Sequence, residues 1–205
     1  MIWKNIRCEI AKTLSRVLRN RVIAKRPPDF VVGKPDDPYL LRWWVIPRNR
    51  WFNIYLHVFM RSDDAEALHD HPWWNISFLL DGTYTEHIPL HKVLDEEGVI
   101  KLMPFSDAMH YCRKSFAQAS YEGIDYYRTE AKRRWPGDLV YRPAMAAHRI
   151  ELHKLWMGTL SPVMSLFFTG PARREWGFWC PKGWKPWKQY VSQRDGGNSK
   201  GLGCD

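Results

Sequence analysis

After Pro38 the chain is written in short runs with a period of two, separated by Gly, Pro, Asn and Asp. Successive side chains of a strand point to opposite faces, so residues 53–61 place Ile54, Leu56, Val58 and Met60 on one side and Tyr55, His57 and Phe59 on the other. Trp74 to Leu80, followed by Asp81-Gly82, predicts a strand that runs into a hairpin turn. Further strands are predicted at 83–88, 124–130, 138–142, 148–152, 155–160, 163–169 and 175–180. Many short strands, with no second long helical pattern among them, predict an all-β domain: a sandwich, a jelly roll or a barrel.

The first 26 residues follow a different rule. Ile2, Ile6, Ile10, Leu14, Val17 and Leu18 recur at three- or four-residue spacing, which predicts an amphipathic helix that stops before Pro27-Pro28. The domain plan is therefore a helical extension over 1–26, a β-domain over 27–191 and a mobile, Gly-rich polar tail over 192–205. The apolar stripe can lie on the main domain or on a second copy in a homodimer. Its charge and Trp3 also suit a membrane surface.

Charge sharpens that choice without closing it. Lys and Arg number 31 against 22 Asp and Glu, a formal net charge of +9, and eight of the basic residues fall in the first 26 positions. A solvated basic face is the ordinary explanation, and an anionic partner, nucleic acid or membrane, is the other. Cys8, Cys112, Cys180 and Cys204 lie far apart with no CxxC pair, so reduced thiols in a cytoplasmic protein are expected. No apolar run approaches the roughly 20 residues that span a bilayer.

Two stretches carry chemistry. Residues 69–71 read HDH at the head of an apolar run, and in extended chain His69 and His71 face the same side, where two imidazoles can converge on one point. Residues 137–148 read GDLVYRPAMAAH: a glycine turn, a strand, a proline and then His148. These residues resemble the two motifs of the cupin family. His69, His71 and Gly82 fall on the first, and Gly137, Pro143 and His148 on the second, at the family's intervals. Asn75 stands where the family has a glutamate, Met145 replaces a glycine, Leu152 replaces an asparagine, and no glycine lies six residues ahead of His69. The likeness spans about residues 53–169; WGFW at 176–179 and GWKPWKQY at 183–190 are similar to bacterial and phage cupin-like proteins without an established activity.

The resemblance implies a double-stranded β-helix, the jelly-roll barrel of cupins, with His69, His71 and His148 as metal ligands. Iron(II) is the foremost ion, and zinc or nickel would also accept three imidazoles. Without the glutamate the ion keeps its +2 charge and favours an anionic partner. The three-histidine thiol dioxygenases of the superfamily meet that need with a substrate thiolate. The expected function is thus a metal-dependent oxygenase acting on a small anionic or thiol-bearing molecule. The alternative is a non-catalytic cupin that binds a ligand or a partner protein; epimerase or isomerase chemistry would instead need a His–Asp acid–base pair and no metal.

His57, Asn75, Glu86 and Tyr141 are candidate pocket residues, with Tyr84 and Arg142 on the same strands. Asp70 should face away from the paired imidazoles. His87, His91, His110 and His153 are expected on loops or the surface, and the Trp-rich segments are expected to pack, with 176–187 folding back over the barrel.

Overall fold

A computed structural model of the chain describes residues 2–34, 36–114, 120–155, 158–192 and 200–205. The helix α1 (Ile2–Leu18) continues into a π-helical turn, Arg19–Ile23, and ends before the two prolines. Strands β1 (Phe30–Lys34), β2 (Asp37–Trp44), β3 (Asn53–Phe59), β4 (Leu68–His69), β5 (Asn75–Asp81), β6 (Tyr84–Leu94) and β7 (Ile100–Met103) follow. Next come α2 (Phe105–Lys114), β8 (Ser120–Arg134), β9 (Leu139–Arg142), β10 (Arg149–Leu152), β11 (Val163–Thr169), β12 (Gly177–Cys180), β13 (Gly183–Pro186) and the single-turn α3 (Trp187–Tyr190).

The strands form a six-stranded sheet in the order β1-β2-β3-β11-β5-β9, a second sheet in which β6 pairs with β10, β7 and β8, and a small β13-β12-β4 sheet. All pairings are antiparallel. Leu79 and Val163 of the first sheet meet Tyr84, Ile150 and Leu152 of the second in one buried cluster, so the two layers face each other in the jelly-roll manner. Among the described residues no pairing joins them into one closed ring.

Alternation decides what each face does. On β2, β3, β5 and β11 the residues Trp43, Leu56, Leu80 and Met164 point outward and are covered by Ala11, Leu14 and Leu18 of α1 with Val22 and Ile23 of the turn. The residues between them, Arg42, His57, Ser77 and Ser165, point inward and line a cavity. Gly137, at φ +90°, lets the helix settle onto the β8–β9 turn, where a Cβ would lie 2.8 Å from the Cys8 nitrogen.

Several expectations need amending. Strands β1, β2 and β7 and the ten-residue helix α2 lie where no element was expected. The strand expected at 155–160 is replaced by an isolated bridge between Lys154 and Leu160, with residues 156 and 157 outside the described set. Cys180 and Cys204 form a disulfide, where reduced thiols were expected; Cys8 and Cys112 are free. Most of the expected mobile tail, residues 193–199, lies outside the described residues, while Lys200 pairs with Asp64 and Glu66 and the Cys204 amide donates to Glu66. Among the described residues, no helix is long and apolar enough to cross a membrane.

Candidate metal centre

The two halves of the histidine cluster are joined by backbone. His69 and His148 form an isolated antiparallel bridge, each amide donating to the other's carbonyl at 2.9 Å. Their rings stand 4.7 Å apart, and His71, two residues on and facing the same side, places its ring 5.1 Å from His69 and 5.2 Å from His148. One ring nitrogen from each lies within 4.8 Å of those of the other two. Nε2 of His71 and Nε2 of His148 approach to 3.0 Å. Two nitrogens about 2.1 Å from one ion and at right angles to each other lie about 3.0 Å apart, so this pair fits two corners of an octahedral site.

Protonation also suits a ligand set. Burial, then the neighbouring His69 and His148, pushes His71 well below the ordinary imidazole range. Burial, then the Arg142 charge, lowers His148 to about 4 despite the opposing pull of Glu86. Neutral imidazoles are the form that binds a metal.

Carboxylates stand behind two of the rings. His148 Nδ1 lies 3.1 Å from Glu86 Oε1, a close contact whose geometry falls short of a hydrogen bond. His69 Nδ1 lies 3.6 Å from Asp63 Oδ2, and Asp63 also accepts from the Tyr39 hydroxyl and the Ile150 amide. Partners of this kind orient the ring and fix which nitrogen faces the ion. Glu86 is itself clamped by Arg142 and Arg134, whose Nε atoms each donate to it at 2.7 Å. Burial alone would raise its pKa, yet Arg142, His148 and Arg134 hold it well below the usual carboxylate range.

The candidate pocket residues separate in space. His57 is buried in the cavity wall, where Arg42 Nε donates to its Nε2 at 2.8 Å. Burial, then the Arg42 charge, lowers its pKa well below the ordinary value. Asn75 is buried behind Arg142, which donates to it at 3.4 Å. Glu86 sits behind His148 and does not line the cavity. Tyr141 differs from expectation most: it is 63% exposed on the outer face, and it is Arg142, one residue on, that lines the cavity. Met145 is likewise exposed and does not intrude on the site. Asp70 is buried facing away from the cavity, where it accepts from the Gly177 amide and Trp184 Nε1 and pairs with Arg174.

The cavity holds about 340 Å³. Its wall is mainly aromatic, with Phe30, Phe59, Trp73, Phe167, Trp176 and Trp187 among its residues. Trp176 and Trp187 stack at 5.8 Å and belong to the C-terminal arm, so they and Trp73, expected to pack, also face the space a ligand would occupy. Arg42 is the residue that inspection of the sequence missed. Its guanidinium lies over Tyr55 at 4.9 Å, donates to neutral His57, and has no acidic partner among the described residues. Burial lowers its pKa.

Acidification tests this description of the histidines. His57, His71 and His148 all protonate less readily in the fold than an ordinary imidazole, at 6.5, so the unfolded chain binds more protons below about pH 6.5. Their stabilising contribution is complete above about pH 6.5 and is lost as pH falls through the folded values, about 4 for His148. Urea denaturation of metal-stripped protein is expected to show a lower midpoint near pH 5 than near pH 7.5. Equal midpoints would contradict the neutral, buried cluster.

No family model matches the chain, and no curated protein matches it in sequence. Solved structures do match in fold. A DMSP lyase from Ruegeria pomeroyi is similar at 14% identity and a TM-score of 0.37, over 71% of this chain but only 54% of that one. A cupin superfamily protein from Desulfitobacterium hafniense is similar at 10% identity and a TM-score of 0.36, over 64% of this chain and 77% of that one. An RmlC-like cupin with a double-stranded β-helix fold from Methanocaldococcus jannaschii is similar at 12% identity and a TM-score of 0.34, over 70% and 91% respectively. These are distant likenesses of fold.

Proposed function

We propose that the chain is a metal-dependent cupin enzyme in which His69, His71 and His148 hold one divalent ion, iron(II) foremost, and that it oxygenates a small anionic molecule, thiols included. One observation carries the proposal. Three clustered imidazoles and a guanidinium without a carboxylate partner among the described residues line the same cavity. An ion held by three imidazole nitrogens would keep its +2 charge and would supply Lewis-acid chemistry, with electron transfer if it were iron.

The chain's own groups would do the rest. Arg42 binds the anionic group and fixes the orientation of the substrate, because a forked guanidinium can hold a carboxylate by two parallel bonds. Phe30, Phe59, Phe167 and the stacked pair Trp176 and Trp187 keep water from the reacting end. Asp63 and Glu86 hold the rings of His69 and His148 in place. A non-catalytic cupin that only binds its ligand is the second reading; the broad apolar part of the wall, built from Phe30, Phe59, Trp73, Phe167, Trp176 and Trp187, favours it.

The test loads the full chain with iron(II) without oxygen, then supplies oxygen and a panel of small carboxylates with and without a thiol. Oxygen uptake matched to substrate loss is expected. Arg42→Leu should lower kcat/KM by about two orders of magnitude, mostly through KM, because a buried charge contact of this kind contributes a few kcal/mol to binding. Anion binding with no oxygen uptake across the panel would reject the enzyme and leave the binding protein.

A further inference from the structure

The outer face of the six-stranded sheet is only half covered. The row Trp43, Leu56, Leu166 and Phe78 packs under α1. One step along the strands lies a second apolar row, in which strand pairing sets Tyr141 beside Ile76, Ile76 beside Phe168 and Phe168 beside Ile54, with the Val45 amide donating to Ile54. Among the described residues no helix packs over this row, and its two ends, Tyr141 and Val45, are exposed.

The helix turns its own apolar flank that way. Cys8, Lys12, Ser15, Arg16 and Arg19 line a cleft with Leu80, Asp81 and Pro136, so that flank faces the hairpin end of the strands. The opposite flank, carrying Trp3, Ile6, Ile10 and Val17, lies toward the uncovered row and is exposed, Trp3 at 78% and Ile10 at 48%. At the far side the β2–β3 loop adds exposed Trp51 and Phe52. This is a far larger apolar surface than scattered single residues account for.

Its rim is basic. Lys4, Arg7, Arg21 and Lys25 are exposed and, among the described residues, pair with no acid. Arg48 and Arg50 of the loop lie over Trp44 and Trp51. Glu9 is the one acidic residue in positions 1–26, and Lys12 neutralises it.

We propose that this face docks the protein on an anionic lipid bilayer, with α1 lying in the interface and the site of the three histidines turned away from it on the inner side of the sheet. The chemistry selects this occupant. Aliphatic Ile6, Ile10 and Val17 insert into an acyl boundary, Trp and Tyr settle at headgroup depth, and Lys and Arg meet lipid phosphates. A nucleic acid offers nothing for the isoleucines to bury against. A second copy would bring two rims of the same sign together.

The experiment is co-sedimentation of the full chain with vesicles of phosphatidylcholine alone or mixed with phosphatidylglycerol, with tryptophan fluorescence as a second readout. Binding to the anionic vesicles is expected, with a blue shift and with weakening by salt. Ile6→Glu with Ile10→Glu should weaken it at least about tenfold, and Lys4→Ala or Arg7→Ala about fivefold each. All four positions are exposed, and unchanged circular dichroism checks the fold. No binding to anionic vesicles, or binding unchanged in the double isoleucine variant, overturns the proposal. So does oligonucleotide binding in place of vesicle binding, or a dimer that the same double variant splits.

Discussion

Replacing Glu86 by alanine is expected to lower the folding free energy by about 3–5 kcal/mol, a large part of the roughly 5–15 kcal/mol that holds a domain of this kind together. Glu86 is fully buried and accepts from Arg142 and Arg134, with His148 against its other side. Arg142 is buried too, and its other hydrogen-bond partners among the described residues, Tyr84 and Asn75, are not acids. Removing the carboxylate therefore leaves an uncompensated guanidinium in a low-dielectric interior, which costs far more than the pair itself contributes. Urea denaturation of both proteins at neutral pH measures the difference. A change under about 1 kcal/mol would mean that Arg142 finds water or another partner, and that the Glu86 clamp is not what holds this wall of the cavity.

The second large effect separates ligands from the groups that hold them. His148→Ala should abolish tight binding of a divalent ion, because the two imidazoles of one short segment, His69 and His71, make a poor site by themselves. Asp63→Asn should keep the site and weaken it about 10- to 100-fold, since the carboxylate stands behind His69 and not against the ion. Competition titration with zinc and a chromophoric chelator reads both variants on one scale. Equal losses in the two would place Asp63 among the ligands; no loss in His148→Ala would remove His148 from the site.

What the sequence discloses, and what it hides, follows from the range of each interaction. HDH at 69–71 and GDLVYRPAMAAH at 137–148 are local patterns, and strand alternation alone turns His69 and His71 to one side. The meeting of His148 with them needs the His69–His148 backbone bridge, across 79 positions, which the family resemblance anticipates and residue spacing cannot. Tyr141 and Arg142 show the cost of one residue of phase: the same strand carries both, and only pairing with Asn75 and Ile76 settles which of them faces the cavity. Arg42 was missed because Asp37–Trp44 was not recognised as a strand, so no inward face was assigned to it. Asp63 lies in the loop before β4, where no period exists to be read. The Cys180–Cys204 bond joins residues that no cysteine spacing links in the sequence, and only the return of the chain end to β12 brings them together.

The central claim is that His69, His71 and His148 form one site for a divalent ion. The most direct measurement is a calorimetric titration of metal-stripped, full-length protein with zinc at neutral pH, repeated on His71→Ala. One ion per chain bound tightly by the wild type, and no tight site in His71→Ala, is the predicted result. Absence of binding in the wild type, or an equal affinity in His71→Ala, would contradict it and remove the metal from the account.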